Sequence, residues 1–143
     1  AVDEIVRRMA ELDAQADMTG LTHADLSPGN LLQTSQGLAP IDFSLSGHGY
    51  RTMDLGMVLT QYKEAEIQRQ ILAGYERESG RPVALRHVEP FYALGILLFV
   101  ACQHAKCCLA DWYPKAVERW SRTVFAPLIH GEPFLAADPR SPS

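Results

Sequence analysis

The stretch LTHADLSPGNLLQTSQGLAPIDFSLSGHGYRTMDLGMVL, residues 21–59, decides the fold. Its polar residues His23, Asp25, Asn30, Asp42 and Asp54 are set between short apolar runs. Leu21 to His23 reads as extended chain, and Ser27-Pro28-Gly29 is a turn signal. Leu31 to Thr34 and Leu38 to Phe43 are strand-like runs on either side of Ser35-Gln36-Gly37, the pattern of a small β-hairpin. Residues 44–51 read as a loop. From Thr52 onward the pattern turns helical, and Thr52 or Asp54 is placed to cap a helix running to about Tyr62.

This hairpin brings together the residue types that phosphoryl transfer to a hydroxyl requires. A carboxylate must orient the acceptor and take its proton, and oxygen ligands must hold a divalent ion against the phosphates. Asp25 lies on a loop after an extended segment, a place for an exposed base. Asn30 follows five residues later, past a Pro-Gly turn that folds it back toward the same cleft. Asp42 ends the second run. An amide oxygen and a carboxylate are hard ligands suited to Mg²⁺. Taken singly, Asp and Asn are ordinary loop residues; their joint order and spacing carry the reading.

His23-Ala-Asp-Leu-Ser-Pro-Gly-Asn30 resembles the H-x-D-x-x-x-x-N catalytic loop of the protein-kinase-like fold. With Ile41-Asp-Phe43 and the downstream Met53-Asp-Leu-Gly56, the resemblance is to the aminoglycoside phosphotransferase and choline kinase branch, whose loop usually reads H-G-D. The resemblance implies a mainly α fold with a small β-hairpin, the C-terminal lobe of that fold. It implies Asp25 as catalytic base, Asn30 and Asp42 as Mg²⁺ ligands, and Leu32 and Ile41 as the floor under the adenine of ATP. His23 would brace the loop, and Asp54 would be a buried carboxylate holding the loop backbone. Ala24 stands where the family usually has glycine, and Ser44 stands where Gly or Asp often follows the I-D-F motif. The family also grips phosphates with an N-terminal β-lobe carrying a strand lysine. Lys63, Lys106 and Lys115 all fall in helical patterns, and no strand-rich segment precedes residue 20. The N-terminal nucleotide-binding lobe is therefore expected to be absent from this chain, and residues 1–143 alone are expected to be a poor catalyst.

Outside the hairpin the chain reads as helices. Val2, Ile5, Val6, Met9 and Leu12 recur at helical spacing, which predicts a helix over 2–17. Ala65 to Ser79 reads as a helix stopped by Gly80 and Pro82. Glu89 to Ala110 reads as another, with Pro90 in its first turn and an all-round apolar stretch from Phe91 to Cys102 that predicts burial. Pro114 to Phe125 is the last helix. The expected organisation is one domain: a catalytic and metal-binding region at 19–51, a helical subdomain at 52–130, and a loose tail at 131–143.

The 143 residues are 47% apolar, enough for one core, and the formal net charge is -4. No basic footprint for nucleic acid or a membrane surface is present. The run Pro90 to Cys102 is shorter than the ~20 residues of a membrane span, and no signal peptide is visible, so a cytoplasmic protein is expected. Three clustered cysteines make a poor disulfide framework. Cys102, His104, Cys107 and Cys108 also invite a zinc reading, against the plainer one of buried cysteines acting as small hydrophobes. Trp112, Tyr113, Trp120 and Phe125 read as packing residues. Asp111, Glu118 and Glu132 read as a solvated face, although they would suit a cationic acceptor. The expected function is ATP-dependent phosphotransfer to a hydroxyl of a small molecule; the alternative is a non-catalytic helical binding module derived from such kinases. The acceptor stays open among aminoglycosides, choline-like amino alcohols, sugars and amino-acid alcohols.

Overall fold

The computed structural model describes residues 1–15 and 17–135. Helix α1, Val2–Asp13, ends earlier than its periodicity predicts; Ala14 closes it, and its N–H donates to the Leu12 carbonyl. Strand β1, Thr19–Thr22, leads into the segment His23–Asn30. A 3₁₀ turn, Pro28–Asn30, precedes the hairpin of β2, Leu31–Thr34, and β3, Gly37–Pro40, with Leu31 opposite Pro40 and Thr34 opposite Gly37. Strand β3 is shorter than the predicted run to Phe43. Asp42 takes a left-handed conformation (φ 59°, ψ 69°), and Phe43–Leu45 forms a second 3₁₀ turn.

Half of the expected loop at 44–51 is strand. Gly47–Tyr50 forms β4, antiparallel to β1, with Thr19 opposite Tyr50 and Thr22 opposite Gly47. Two glycines in four residues hide the strand, because glycine is depleted in strands. Its register comes from pairing with a segment far back in the chain.

Helix α2, Met53–Leu59, follows directly. Helix α3, Ala65–Ser79, ends at Gly80, which adopts the left-handed conformation that a side chain resists. Helix α4, Leu85–Cys107, starts four residues earlier than predicted, because Leu85 and Val88 pack into the core. Pro90 therefore lies in the second turn and removes a hydrogen bond that would have gone to the Arg86 carbonyl. Helix α5, Trp112–Trp120, runs through a π-type turn, Ser121–Phe125, into α6, Ala126–His130, so the last helix extends beyond its predicted end.

The core has two connected parts. Ile5, Ala93, Ile96, Val124 and Leu128 pack between α1, α4 and the α5–α6 rod. Leu55, Leu59, Val88 and Leu135 pack between α2, α3 and the start of α4, and Tyr92 and Phe134 touch both parts. The predicted all-round burial of α4 holds only for its first half. Leu98 is 48% exposed and Phe99 39% exposed, and Cys102 is exposed too. At 23 residues, α4 is long enough to cross a membrane and holds an 18-residue stretch of mean hydropathy 1.4; the predicted run Pro90–Cys102 was too short for that. Its first half instead packs against α1 and α2.

Residues at the start of the expected tail are tied down. Glu89, 2% exposed, accepts the Phe134 N–H at 2.8 Å and the Leu135 N–H at 3.2 Å through Oε1. Its Oε2 faces Arg8 Nη1 at 3.6 Å, while Arg8 also donates to the Leu128 carbonyl at 2.8 Å and to Glu4 at 2.9 Å. The rest of the predicted tail, 136–143, lies outside the described residues.

Helices α2 and α4 meet at Gly56. A Cβ there would lie 2.5 Å from Phe91 Cβ and 2.7 Å from the Tyr92 backbone nitrogen. Main chain cannot step aside as a flexible side chain can. Gly56→Ala should therefore destabilise the protein by about 1–3 kcal/mol, as overpacking does. Chemical denaturation would check this, and a midpoint equal to the wild type would contradict the contact.

Candidate active site

The segment after β1 is held in place by Asp54. Asp54 Oδ2 accepts the His23 N–H at 2.7 Å, and Oδ1 accepts the Ala24 N–H at 2.8 Å. Asp54 makes no N-terminal cap: the residue before α2 is Thr52, and no side chain caps that end. Asp54 is half-buried rather than fully buried, as expected of a carboxylate bridging a surface loop and a core helix. Paired N–H donors on an ionised acceptor are among the stronger hydrogen bonds.

Ala24 sits at φ 65°. An L-residue with a Cβ is strained there by about 1 kcal/mol, and glycine is not. The contact with Asp54 holds Ala24 in that bend. This gives the alanine a larger consequence than a side-chain swap of two small residues would suggest.

The bend turns Asp25 toward Asn30. Asn30 Nδ2 donates to the Asp25 backbone carbonyl at 2.9 Å and to Asp25 Oδ2 at 3.0 Å. The Asn30 carbonyl in turn accepts the Ile41 N–H at 2.9 Å, which sets Asp42 beside the same loop. Asp25, Asn30 and the residue preceding Asp42 are thus linked by hydrogen bonds. With both amide hydrogens of one side chain engaged on Asp25, Asn30 Oδ1 is its remaining polar atom.

Asp42 is exposed, and Oδ1 accepts from the Ser44 hydroxyl at 2.7 Å and from the Ser44 N–H at 3.4 Å. These bonds to Ser44, and more weakly the charge of His23, hold its carboxyl below the usual aspartate range. His23 is buried, and its Nε2 donates to the Ile41 carbonyl at 2.9 Å; its Nδ1 has no protein partner. The Phe43 ring tilts over the imidazole at 4.7 Å. Leu32 is 52% exposed and Ile41 36% exposed, so both present apolar surface on the ribbon.

Two residues to which the sequence reading gave no role belong to this arrangement. Phe43 covers His23, and Ser44 holds Asp42. The signal for Ser44 was an aspartate with a serine two positions on, a pattern that forms a local side-chain turn; for Phe43 no local signal points to His23, twenty residues back.

The cysteine-rich stretch forms no such cluster. Cys102 and Cys108 are exposed rather than buried, and His104 Nδ1 is hydrogen-bonded to the Tyr113 hydroxyl at 3.1 Å. Among the described residues, no group of three His, Cys, Asp or Glu side chains could hold a metal ion. Tyr113 is buried and Trp120 packs against the core as expected, but Trp112 is half exposed.

The family model described as "Phosphotransferase enzyme family" matches residues 1–91, which include all five polar positions of the hairpin region. No curated protein matches the chain. Among solved structures, the amicoumacin kinase hAmiN, in complex with AMP-PNP, Ca²⁺ and Ami, aligns with a TM-score of 0.62 at 18% identity, over 95% of this chain. The chain spans about half of that kinase (47%), and the likeness is one of fold.

Proposed function

Since the chain belongs to the phosphotransferase enzyme family and has the fold of the C-terminal lobe of a kinase-like enzyme, we propose that it carries the catalytic half of an enzyme moving the γ-phosphate of ATP to a hydroxyl of a small molecule. The observation that carries this reading is the Asn30 amide, which is bonded to Asp25 on one side and, through its main chain, to the residue before Asp42 on the other. On this reading one short ribbon supplies a base and two oxygen ligands.

Asp25 orients the acceptor hydroxyl and takes its proton, held in its rotamer by Asn30. Asn30 Oδ1 and Asp42 Oδ2 are hard oxygen atoms, a donor set that fits Mg²⁺, which usually takes one or two protein ligands and completes its shell with phosphates and water. The ion supplies neutralisation of charge on the phosphate oxygens. Leu32 and Ile41 supply an apolar floor for the adenine. His23 and Asp54 keep the loop in register. A nucleotide-gripping lobe is the partner this reading requires, in keeping with a chain that covers 47% of the solved kinase.

The test is direct. The chain joined to such a lobe is incubated with γ-labelled ATP, Mg²⁺ and a panel of aminoglycosides, amino alcohols and sugars. Label should appear on an acceptor hydroxyl and disappear when Mg²⁺ is chelated. Bound nucleotide with no transfer to any acceptor would favour a binding module instead.

A further inference from the structure

Asp42 is held asymmetrically. Both hydrogen bonds from Ser44, hydroxyl and backbone N–H, go to Oδ1. Oδ2 has no protein hydrogen bond among the described residues. The main chain adds a second constraint, because Asp42 sits at φ 59° between β3 and a 3₁₀ turn. In that conformation the side chain departs from the ribbon in a direction set by the backbone. The Ser44 hydroxyl then fixes its remaining rotation.

We infer that Ser44 is a positioning residue for the metal site: its hydroxyl locks the Asp42 carboxylate with Oδ2 presented for a divalent cation. This rests on the reading of Asp42 as a ligand. The physical reason is entropic and electronic. A carboxylate free to rotate must be ordered when the ion binds, whereas one already pinned by a hydroxyl is ordered beforehand. Hydrogen bonds to ligating carboxylates tune metal sites, and their removal costs ~10–100-fold in affinity. The backbone N–H bond, at 3.4 Å, is too long to take over the role. Ser44 is exposed, so its hydroxyl is not needed to fill the core.

Mn²⁺ titration of the 143-residue chain, followed by paramagnetic broadening of backbone amide signals, tests this without any turnover. Such broadening registers weak binding. In the wild type it should centre on Asn30 and Asp42. S44A should need ~10-fold more Mn²⁺ for the same broadening, and S44T, which keeps the hydroxyl, should titrate close to the wild type. Thermal melting of S44A should match the wild type, separating a site effect from unfolding. If S44A titrates like the wild type while D42N abolishes the effect, Ser44 is only a turn residue and the inference falls, with Asp42 still a ligand. If D42N also titrates like the wild type, or the wild type shows no broadening there, Asp42 is not a ligand and both readings fall.

Discussion

Asp25→Ala should lower kcat for phosphoryl transfer by ~10²–10⁴-fold, the range for loss of a positioned general base. The expectation applies to the chain joined to its nucleotide-gripping lobe. The fold should survive, because Asn30 loses only one of its two bonds to residue 25: the bond to the backbone carbonyl at 2.9 Å remains when the side chain is cut back. The loop also remains anchored through Asp54, which binds the N–H groups of His23 and Ala24 and not that of residue 25. KM for ATP should therefore change little while kcat falls, the pattern of an interaction used in the transition state. Asp42→Ala should abolish transfer by another route, with loss of activity that high Mg²⁺ partly restores. Near-normal turnover in Asp25→Ala would remove that residue from the chemistry.

The largest effect on stability is expected at Glu89. Its carboxylate is buried, satisfies the N–H groups of Phe134 and Leu135, and faces Arg8, which is itself mostly buried. Glu89→Ala strips two N–H groups of their acceptor and leaves Arg8 with Glu4, on the more exposed side, as its carboxylate partner. Breaking one side of a buried pair costs about 3–5 kcal/mol. For a chain of this size the melting temperature should fall by about 10 °C or more. Glu89→Gln keeps an oxygen for the two N–H groups and loses only the charge, so it should lose less than Glu89→Ala. A loss below about 1 kcal/mol for Glu89→Ala, by urea denaturation, would show that solvent already screens this network.

What could be read in advance follows the range of the interactions involved. Helix α3 was legible to the residue, because its signals are local: periodic apolar residues, then Gly80 and Pro82. The β2–β3 hairpin was legible for the same reason, through Ser35-Gln36-Gly37. Strand β4 was not, since Gly47 and Gly49 carry no strand preference and the pairing partner is β1. The early start of α4 depends on Leu85 and Val88 packing with residues of α2 and α3, which no local pattern reports. At the candidate site the residue types and spacing stood out, yet the strain at Ala24 is a property of a backbone dihedral, and the asymmetry of Asp42 comes from its bonds to Ser44. A lone aspartate before a helix looks the same whether it caps that helix or reaches back thirty residues, as Asp54 does to Ala24.

The packing at Gly56 has a consequence for how such a protein can diversify. Two residues before it, Asp54 grips the bend at Ala24, and Gly56 itself presses main chain against main chain at Phe91 and Tyr92. The precision of the bend is thus inherited from a seam that leaves no room for a Cβ at Gly56. Drift in sequence along that seam is throttled, whereas Leu98, half exposed further along α4, carries no such constraint.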